Sequence, residues 1–234
     1  MEELQRTYEL LEDQLSKEVF LGLVKYVFTQ RPEIFEEITL SEEQYFLTDI
    51  FDFSIDECII DGGAFTGDTL QKYYELSGGK FKEIYCFEPD NDNFYKLSEN
   101  VNKIKKTSGD IKIYNLGLFN KAGKVYFSNS HNSAACIVDE ADYYIQVTSV
   151  DEVMKTNKVT MIKLDVEGAE VETIMGAKNT IMKHKPKLAI CNYHLSSDLW
   201  KIPLVIRDLV PQYKIYLRHH NSKCWYESVV YAKL

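Results

Sequence analysis

The chain has 234 residues, of which 45% are hydrophobic and 27% charged, as expected for one globular α/β domain with an N-terminal elaboration. Its net charge of −9 argues against RNA or DNA as the main partner, because an acidic surface repels phosphates. The first 30 residues carry charge throughout and no apolar run is long enough to span a bilayer, so we expect a cytoplasmic protein without a signal peptide. The five cysteines are widely spaced without a C-x-x-C pair, which favours buried thiols in a reducing compartment.

Residues 1–50 have a helical pattern of their own. Apolar residues recur at three- and four-residue spacing up to the Arg31-Pro32 break, which predicts one or two amphipathic helices. Residues 41–44 fit a capping box ahead of a short helical piece at residues 45–47. We therefore predict an N-terminal helical extension over residues 1–50 and a main domain over residues 51–234.

A glycine-rich turn follows the first strand pattern of the main domain. An apolar run ends in Asp61, passes through the turn and opens into a helical segment, which is how a ligand-binding βα unit begins. Glycine suits such a turn because it adopts positive φ at little cost and has no Cβ to obstruct a ligand. A second short strand ends in Glu88, about 20 residues beyond Gly67, where nucleotide-binding βαβ units place the carboxylate that holds ribose hydroxyls.

Two departures from the G-x-G-x-x-G dinucleotide pattern indicate which nucleotide binds. With Gly62 as the first glycine and Gly67 as the last, the middle position is Ala64, whereas a pyrophosphate needs glycine there to approach the backbone. Asp61 would also place negative charge beside any phosphate in the turn. Both features favour an adenosine ligand with a cationic, phosphate-free tail over NAD, and S-adenosylmethionine is such a ligand.

The rest of the chain alternates between helix and strand patterns. Helices are predicted at residues 69–76, from 90 to about 102, after 170 to about 183, and at 199–210. Strands are predicted at residues 111–119, 125–128, 159–165 and 187–194, with a final hairpin at 213–217 and 227–232. A polar loop at residues 128–135, which contains His131, is expected over the pocket mouth. We therefore predict an α/β fold with a doubly wound, mostly parallel sheet that ends in an antiparallel hairpin.

Four titratable residues lie at the ends of predicted strands, although they are scattered along the sequence. They are Asp61, Glu88, Asp165 and His194. In doubly wound sheets, ligands bind outside the carboxyl ends of the strands, so we expect these side chains to converge on one site. This convergence is the main sequence argument for an enzyme.

The predicted cofactor-binding residues surround the turn and the ends of the neighbouring strands. A third strand would end near the adenine, and Gly117 would allow a close approach there. The full set is Asp61, Gly62, Gly63, Ala64, Phe65, Thr66, Gly67, Asp68, Glu88, Pro89, Asn115, Leu116, Gly117 and Asp165.

The remaining polar residues are assigned to the methyl acceptor. Methyl transfer needs a nucleophile in line with the methyl group, and a neutral hydroxyl must also lose its proton. We assign His194 as the general base, since histidine titrates near neutral pH, and Asp165 as the residue that orients it or binds the acceptor. Glu167 and Glu170 are acceptor-binding candidates, although acids at a helix N-terminus also complement the helix dipole, and His194 has an alternative role as a hydrogen-bonded loop histidine. These four residues could instead hold a divalent cation, but no metal is predicted.

Five segments together resemble the FkbM family of S-adenosylmethionine-dependent methyltransferases. They run in the family's order: IIDGGAFTGDT at 59–69, CFEPD at 86–90, VTSVDEV at 147–153, IKLDVEGAEVETIMGAKNTI at 162–181 and KPKLAICNYH at 185–194. The resemblance implies a class I methyltransferase fold acting on hydroxyls of sugars or natural products. Carried over by position, it assigns Asp61, Gly63, Gly67 and Glu88 to the cofactor, and Asp165 and His194 to the acceptor side.

Three functions remain open from the sequence. The leading one is O-methylation of a sugar, glycan or natural-product hydroxyl, with S-adenosylhomocysteine as the second product. The second is N-methylation of an amide or amine, as on a peptide. The third is a non-catalytic nucleotide-binding module, since a fold does not fix a function. An NAD oxidoreductase is a distant fourth, discouraged by Ala64 and Asp61.

Overall fold

The computed structural model describes residues 1–39, 44–104, 107–128, 136–138 and 143–234. These residues form two compact units. The first unit is Met1–Phe51 together with Lys187–Leu234, and the second unit is Asp52–Pro186. The first unit thus contains both ends of the chain, and the second contains the glycine-rich turn. The boundary predicted after residue 50 stays a prediction.

Helices and strands alternate along most of the described chain. The helices are α1 (Glu2–Leu10), α2 (Gln14–Thr29), α3 (Glu33–Ile38), α4 (Asp68–Ser77), α5 (Asn91–Lys103), α6 (Val150–Met154), α7 (Glu170–Gly176), α8 (Lys178–His184) and α9 (Asp198–Leu209). The strands are β1 (Cys58–Gly62), β2 (Glu83–Phe87), β3 (Asp110–Tyr114), β4 (Gly117–Leu118), β5 (Gly123–Ser128), β6 (Cys136–Val138), β7 (Tyr143–Thr148), β8 (Met161–Leu164), β9 (Lys187–Cys191), β10 (Lys214–His219) and β11 (Ser228–Lys233).

In the second unit, four parallel strands carry the predicted ligand-binding edge. Their order is β8-β1-β2-β3, and every neighbouring pair is parallel. The register places Gly62 opposite both Phe87 and Leu164, so β8, β1 and β2 end at the same level. All residues of β1 and β8 are buried, as expected for parallel strands that are covered on both faces.

Local signals fix the helices that follow β1 and β2. Helix α4 ends at Gly78, which adopts the left-handed conformation that glycine accepts most readily. Helix α5 begins after Asp90, whose side chain accepts a hydrogen bond from the Asn93 amide at 2.9 Å. Both helices therefore lie where the sequence predicted them.

A second, four-stranded sheet in the second unit was not expected from the sequence. Its order is β4-β7-β5-β6. The single strand predicted at residues 111–119 is wrong, because β3 ends at Tyr114 and β4 pairs with β7 instead. The predicted loop with His131 lies outside the described residues, apart from Ser128 at its start.

The helix predicted to reach about residue 183 is divided into α7 and α8. Helix α7 ends at Gly176, which lies close to the backbone of Phe119. A Cβ built on Gly176 would lie 2.1 Å from the Phe119 carbonyl oxygen. The chain turns there, and α8 begins at Lys178. The predicted strand at residues 159–165 is observed as the shorter β8.

The first unit contains the three C-terminal strands and the N-terminal helices. The strand order is β10-β11-β9, with antiparallel pairing throughout, so the predicted C-terminal hairpin is confirmed. Helix α2 packs against β10, and α1 packs against α9. Asp13 caps α2 through the Ser16 amide and forms an ion pair of 2.7 Å with Arg218 on β10. The prediction of one or two amphipathic helices before Arg31 is thus confirmed, with α1 and α2 as the two helices.

Two details of the first unit differ from the sequence predictions. Residues 45–47 are not helical, since Tyr45 has a φ of 67° and its amide donates to the Tyr231 hydroxyl at 3.0 Å. The preceding residues 41–43 lie outside the described part. Strand β9 ends at Cys191, so His194 lies three residues beyond the strand rather than at its end.

The cysteines and the helices bear on two further expectations. Cys58, Cys86 and Cys191 are buried and Cys224 is half-buried, while the side chain of Cys136 lies outside the described part. Among the described residues, none of the helices combines the length and the apolar character needed to cross a membrane.

Candidate functional site

The glycine-rich turn is tied to the end of β2 by its own backbone. The amides of Gly63 and Ala64 both donate to the Phe87 carbonyl, each at 3.0 Å. Within the turn, the Gly67 amide donates to the Ala64 carbonyl at 2.8 Å. The Thr66 carbonyl accepts a bond from the Asn100 side chain of α5 at 2.8 Å. The turn is therefore held in one shape by β2 and α5.

Glu88 is buried directly after β2, and its carboxylate completes this network. One oxygen accepts from the Phe65 amide at 2.8 Å, and the other accepts from the Asp90 amide at 2.9 Å. Burial raises the pKa of the Glu88 carboxyl, while the hydrogen bonds from Asp90 and Phe65 oppose that rise. Each carboxylate oxygen can still accept a second bond, so Glu88 remains able to bind hydroxyl groups such as those of a ribose.

The glycine-rich turn packs closely against the backbone that follows β8. Gly63 has a φ of 72°, and a Cβ built on it would lie 1.8 Å from the Asp165 carbonyl oxygen. The Asp165 amide donates to the Gly62 carbonyl at 3.0 Å, which continues the parallel pairing beyond both strands. A Cβ on Gly62 would meet the Leu118 and Leu164 side chains at 2.9 Å. Packing against the Asp165 backbone therefore requires glycine at position 63, whereas a Cβ at position 62 would displace only the ends of two leucine side chains.

Asp61 lies beneath the turn rather than on its surface. Its side chain is 2% exposed, and its Oδ1 forms an ion pair of 3.0 Å with the Nζ of Lys163 on β8. Burial raises the pKa of the Asp61 carboxyl, and the positive charge of Lys163 opposes this rise. Lys163 also donates to the carbonyls of Gly63, at 2.8 Å, and Gly62, at 3.3 Å. Lys163 was not among the residues predicted from the sequence, because a single lysine within an apolar strand carries no local indication of the residue with which it pairs.

These contacts bear on the choice between a dinucleotide and a phosphate-free ligand. Four backbone amides of the turn already donate to protein oxygens, so they do not form a phosphate cradle. They are the amides of Gly63, Ala64, Phe65 and Gly67. Asp68 adds a carboxylate to the first turn of α4, where a phosphate would otherwise bind the helix N-terminus. The geometry therefore fits the phosphate-free adenosine ligand that Ala64 and Asp61 predicted.

The turn residue Phe65 has an unusual backbone conformation. Its φ is 47°, in the left-handed region that only glycine adopts readily, and its side chain is 54% exposed. Its amide is nevertheless fixed by the bond to Glu88. The ring is thus displayed beside the predicted ligand-binding residues.

The residues predicted near the adenine lie beside the end of β2. The Asn115 side chain donates to the carbonyls of Glu88, at 3.1 Å, and Pro89, at 3.3 Å. Gly117 is buried in β4, and a Cβ built there would meet Ile145 at 2.9 Å and Pro89 at 3.7 Å. Leu116 lies between them and is half-buried. The second unit thus brings this group close to Glu88.

The acidic segment after β8 turns sharply. Glu167 and Gly168 both have positive φ, at 56° and 93°. Glu170 is buried at the start of α7, where its Oε1 accepts from the Val166 amide at 2.9 Å. This contact fits the helix-terminus role that was the alternative for Glu170. Asp165 is half-buried and Glu167 is exposed.

His194 belongs to the first unit, in the segment between β9 and α9. It is half-buried, and its ring lies 4.3 Å from that of Tyr193, measured between centroids. The Tyr193 carbonyl accepts a bond from the Trp225 indole at 3.0 Å, which anchors this segment. The predicted catalytic partnership of His194 with Asp165 stays a prediction.

The chain has parallel strands with intervening helices, a glycine turn after β1, an acid after β2 and antiparallel C-terminal strands. Together these features define a Rossmann-like class I methyltransferase fold. A family model described as the Methyltransferase FkbM domain matches residues 61–223. Since that match covers well over half of the sequence, the chain belongs to the FkbM methyltransferase family.

Two relatives support this assignment. The structure of the FkbM methyltransferase from Methylobacillus flagellatus superposes with a TM-score of 0.85 and 27% identity, covering 98% of this chain and 58% of that one. The hexuronic acid methyltransferase AglP of Haloferax volcanii is 29% identical over 104 residues, which are 42% of this chain and 42% of that protein. The chain therefore spans only about half the length of these two relatives.

Proposed function

We propose that this protein transfers a methyl group from S-adenosylmethionine to a hydroxyl of a sugar, glycan or natural product. The observation that carries the cofactor assignment is the glycine turn, whose amides are used internally and which is flanked by the buried carboxylates of Asp61 and Glu88. Membership of the FkbM family supports methyl transfer. The acceptor class is supported by the relative named as a hexuronic acid methyltransferase.

The proposed cofactor site uses three groups of residues in the second unit. Glu88 would bind the ribose hydroxyls, and Asp61 would stabilise the cationic tail. The turn residues would contact the ligand through their backbone. These turn residues are Gly62, Gly63, Ala64, Phe65, Thr66, Gly67 and Asp68. The adenine would be held by Pro89, Asn115, Leu116 and Gly117.

When bound, S-adenosylmethionine supplies an electrophilic methyl group. The acceptor hydroxyl must lose its proton as its oxygen forms the new bond to carbon, and we assign His194 as the base that takes this proton. Asp165 would orient His194 or bind the acceptor, together with Glu167 and Glu170. This assignment rests on the position of Asp165 directly after β8 and of His194 in the segment that follows β9.

A binding experiment tests the cofactor assignment first. The direct measurement is titration calorimetry with two ligands, S-adenosylhomocysteine and NADH. Each ligand is titrated into the wild type, Asp61→Ala and the control Asp56→Ala. We expect the first ligand to bind the wild type and the control, and its affinity to fall sharply in Asp61→Ala. Preference for NADH, or no binding of S-adenosylhomocysteine to the wild type, would refute the cofactor assignment.

The acceptor and the base are tested by turnover. Three acceptors separate O-methylation from N-methylation: a hexuronic acid, a neutral hexose and an amine-bearing peptide. The methylated product of each is identified by mass spectrometry. His194→Ala is expected to lower kcat by about 100-fold or more while its affinity for S-adenosylhomocysteine is unchanged. Turnover of His194→Ala at the wild-type rate would remove the base assignment, and cofactor binding without turnover on any acceptor would favour a non-catalytic module.

A further inference from the structure

Lys163 is a charged side chain in the most buried part of the second unit. It lies in β8 with 2% of its side chain exposed, among the largest fully buried side chains of the described residues. An ammonium group removed from water must be paired, because its lost hydration is otherwise uncompensated. Its partners therefore indicate what this charge does.

Three oxygen atoms of β1 and the turn surround the Lys163 ammonium group. Its Nζ lies 3.0 Å from Asp61 Oδ1, 2.8 Å from the Gly63 oxygen and 3.3 Å from the Gly62 oxygen. The register of β1 and β8 places Asp61 and Lys163 opposite each other. The two carbonyls fix the position of the ammonium group, and the ammonium in turn fixes Oδ1 of Asp61.

The second oxygen of Asp61 is in a different situation. Both carboxylate oxygens are buried and have no hydrogen-bond partner among the residues that the structure describes, but only Oδ1 is recorded in the ion pair, 3.0 Å from the Lys163 Nζ. A buried carboxylate oxygen without a partner is unfavourable, so a ligand with a cationic donor would gain by reaching it. The ion pair on one side thus leaves the other side of the carboxylate to be satisfied.

We propose that Lys163 is a positioning residue for cofactor binding, which stabilises the charged form of Asp61 and turns its Oδ2 toward the cationic tail of S-adenosylmethionine. This inference rests on the proposed function. Lys163 itself acts through Asp61 and the turn. It is assigned no contact with the reacting atoms.

The charges around Asp61 explain why a lysine is needed there. Burial raises the pKa of the Asp61 carboxyl, and the negative charges of Asp68 and Asp165 raise it further. The thiol of Cys86, opposite Asp61 on β2, is also buried, and its pKa is raised well above the usual range, so it stays neutral. Lys163 opposes these effects on Asp61. Without Lys163, the Asp61 carboxyl would hold its proton to a higher pH.

The test measures the affinity for S-adenosylhomocysteine by calorimetry at several pH values between about pH 6 and pH 9. Lys163→Met removes the charge and keeps most of the side-chain volume. Lys112→Met is the matched control, since Lys112 also pairs with a carboxylate on a neighbouring strand of the same sheet, Glu83 at 2.7 Å.

The expected result is a shift of the acid limb of the binding profile. Loss of a neighbouring opposite charge moves a carboxyl pKa by about 1–3 units, so Lys163→Met should bind about tenfold or more weakly near neutral pH and recover as the pH rises. The control should follow the wild-type profile. A Lys163→Met profile that overlays the wild type, or a loss that does not recover at high pH, would overturn the inference.

A second comparison keeps the inference testable if Lys163→Met does not fold. The double variant Asp61→Asn with Lys163→Met removes both buried charges. Replacing a whole buried ion pair is often tolerated, whereas removing one partner leaves an unpaired buried charge. Since Lys163 acts through Asp61, this double variant should bind S-adenosylhomocysteine within about threefold of Asp61→Asn alone. A further tenfold loss would contradict that. A wild type that does not bind at all would instead refute the proposed function.

Discussion

Substitution of Gly63 by alanine tests the close packing of the turn on β8. A Cβ at this position would lie 1.8 Å from the Asp165 carbonyl oxygen, and real Cβ atoms essentially never come closer than 3.0 Å. The backbone at Asp165 would therefore have to move by about 1 Å, which a close-packed interior resists. Gly63 also has a φ of 72°, a conformation that is strained for alanine.

The magnitude has two parts that a control can separate. The left-handed backbone costs about 1–2 kcal/mol for a residue with a Cβ, and overpacking costs about 1–3 kcal/mol more. Gly78 has a φ of 60°, and a Cβ built on it would have nothing within 4 Å, so Gly78→Ala has the backbone cost alone. The free energy of unfolding of Gly63→Ala should therefore fall about 1–3 kcal/mol below that of Gly78→Ala.

Urea unfolding and calorimetry measure the two consequences. About 1 kcal/mol corresponds to 2–4 °C in Tm for a chain of this size, so thermal unfolding also resolves the difference. The displaced turn should weaken the binding of S-adenosylhomocysteine by about 10–100-fold in Gly63→Ala, while Gly78→Ala should bind normally. Equal stability of the two variants together with intact binding by Gly63→Ala would refute the packing argument.

Three further outcomes are expected. Glu88→Gln should weaken the binding of S-adenosylhomocysteine by about tenfold or more in calorimetry. The reason is that the glutamine amide nitrogen cannot accept a hydrogen bond from a backbone amide, as the Glu88 carboxylate does from Phe65 and Asp90. Unchanged affinity would contradict this expectation. Burial raises the pKa of the Asp13 carboxyl, but the hydrogen bonds from Arg218 and Ser16 and the charge of Arg218 together lower it by more. The stability gained from Asp13 is therefore present at neutral pH and lost as pH falls through its depressed pKa. The difference in urea midpoint between wild type and Asp13→Asn should therefore shrink in acid, and a constant difference would count against the pair. Since no metal ion belongs to the proposed mechanism, turnover should survive exhaustive chelation, and loss restored by added magnesium would reverse that assignment.

The local pattern of the sequence was enough to predict the first two βα units. Gly78 ends α4 and Asp90 caps α5, and both act on the backbone of their own neighbours. The apolar runs of β1 and β2 likewise need no distant information to be recognised as buried parallel strands. The family motifs then predicted the class of fold, which the structure confirms.

Pairing between distant strands was beyond the sequence. Residues 111–119 form one continuous strand pattern, but β3 and β4 join different sheets because β4 pairs with β7, some 30 residues further on. Similarly, the Tyr45 amide is used by the distant Tyr231 hydroxyl and not by a helix of its own. An alternating pattern predicts an extended chain, whereas its partner depends on the whole fold.

The sequence by itself predicted the chemistry of the proposed site, namely acids at strand ends beside a turn without the glycine that a pyrophosphate requires. Only the tertiary structure decided how those acids are used. Lys163 lies 100 residues from Gly63 in the chain, and only the pairing of β1 with β8 brings its charge to Asp61. A buried charge is tolerable only with its partner, and a partner so distant in sequence is set by the fold.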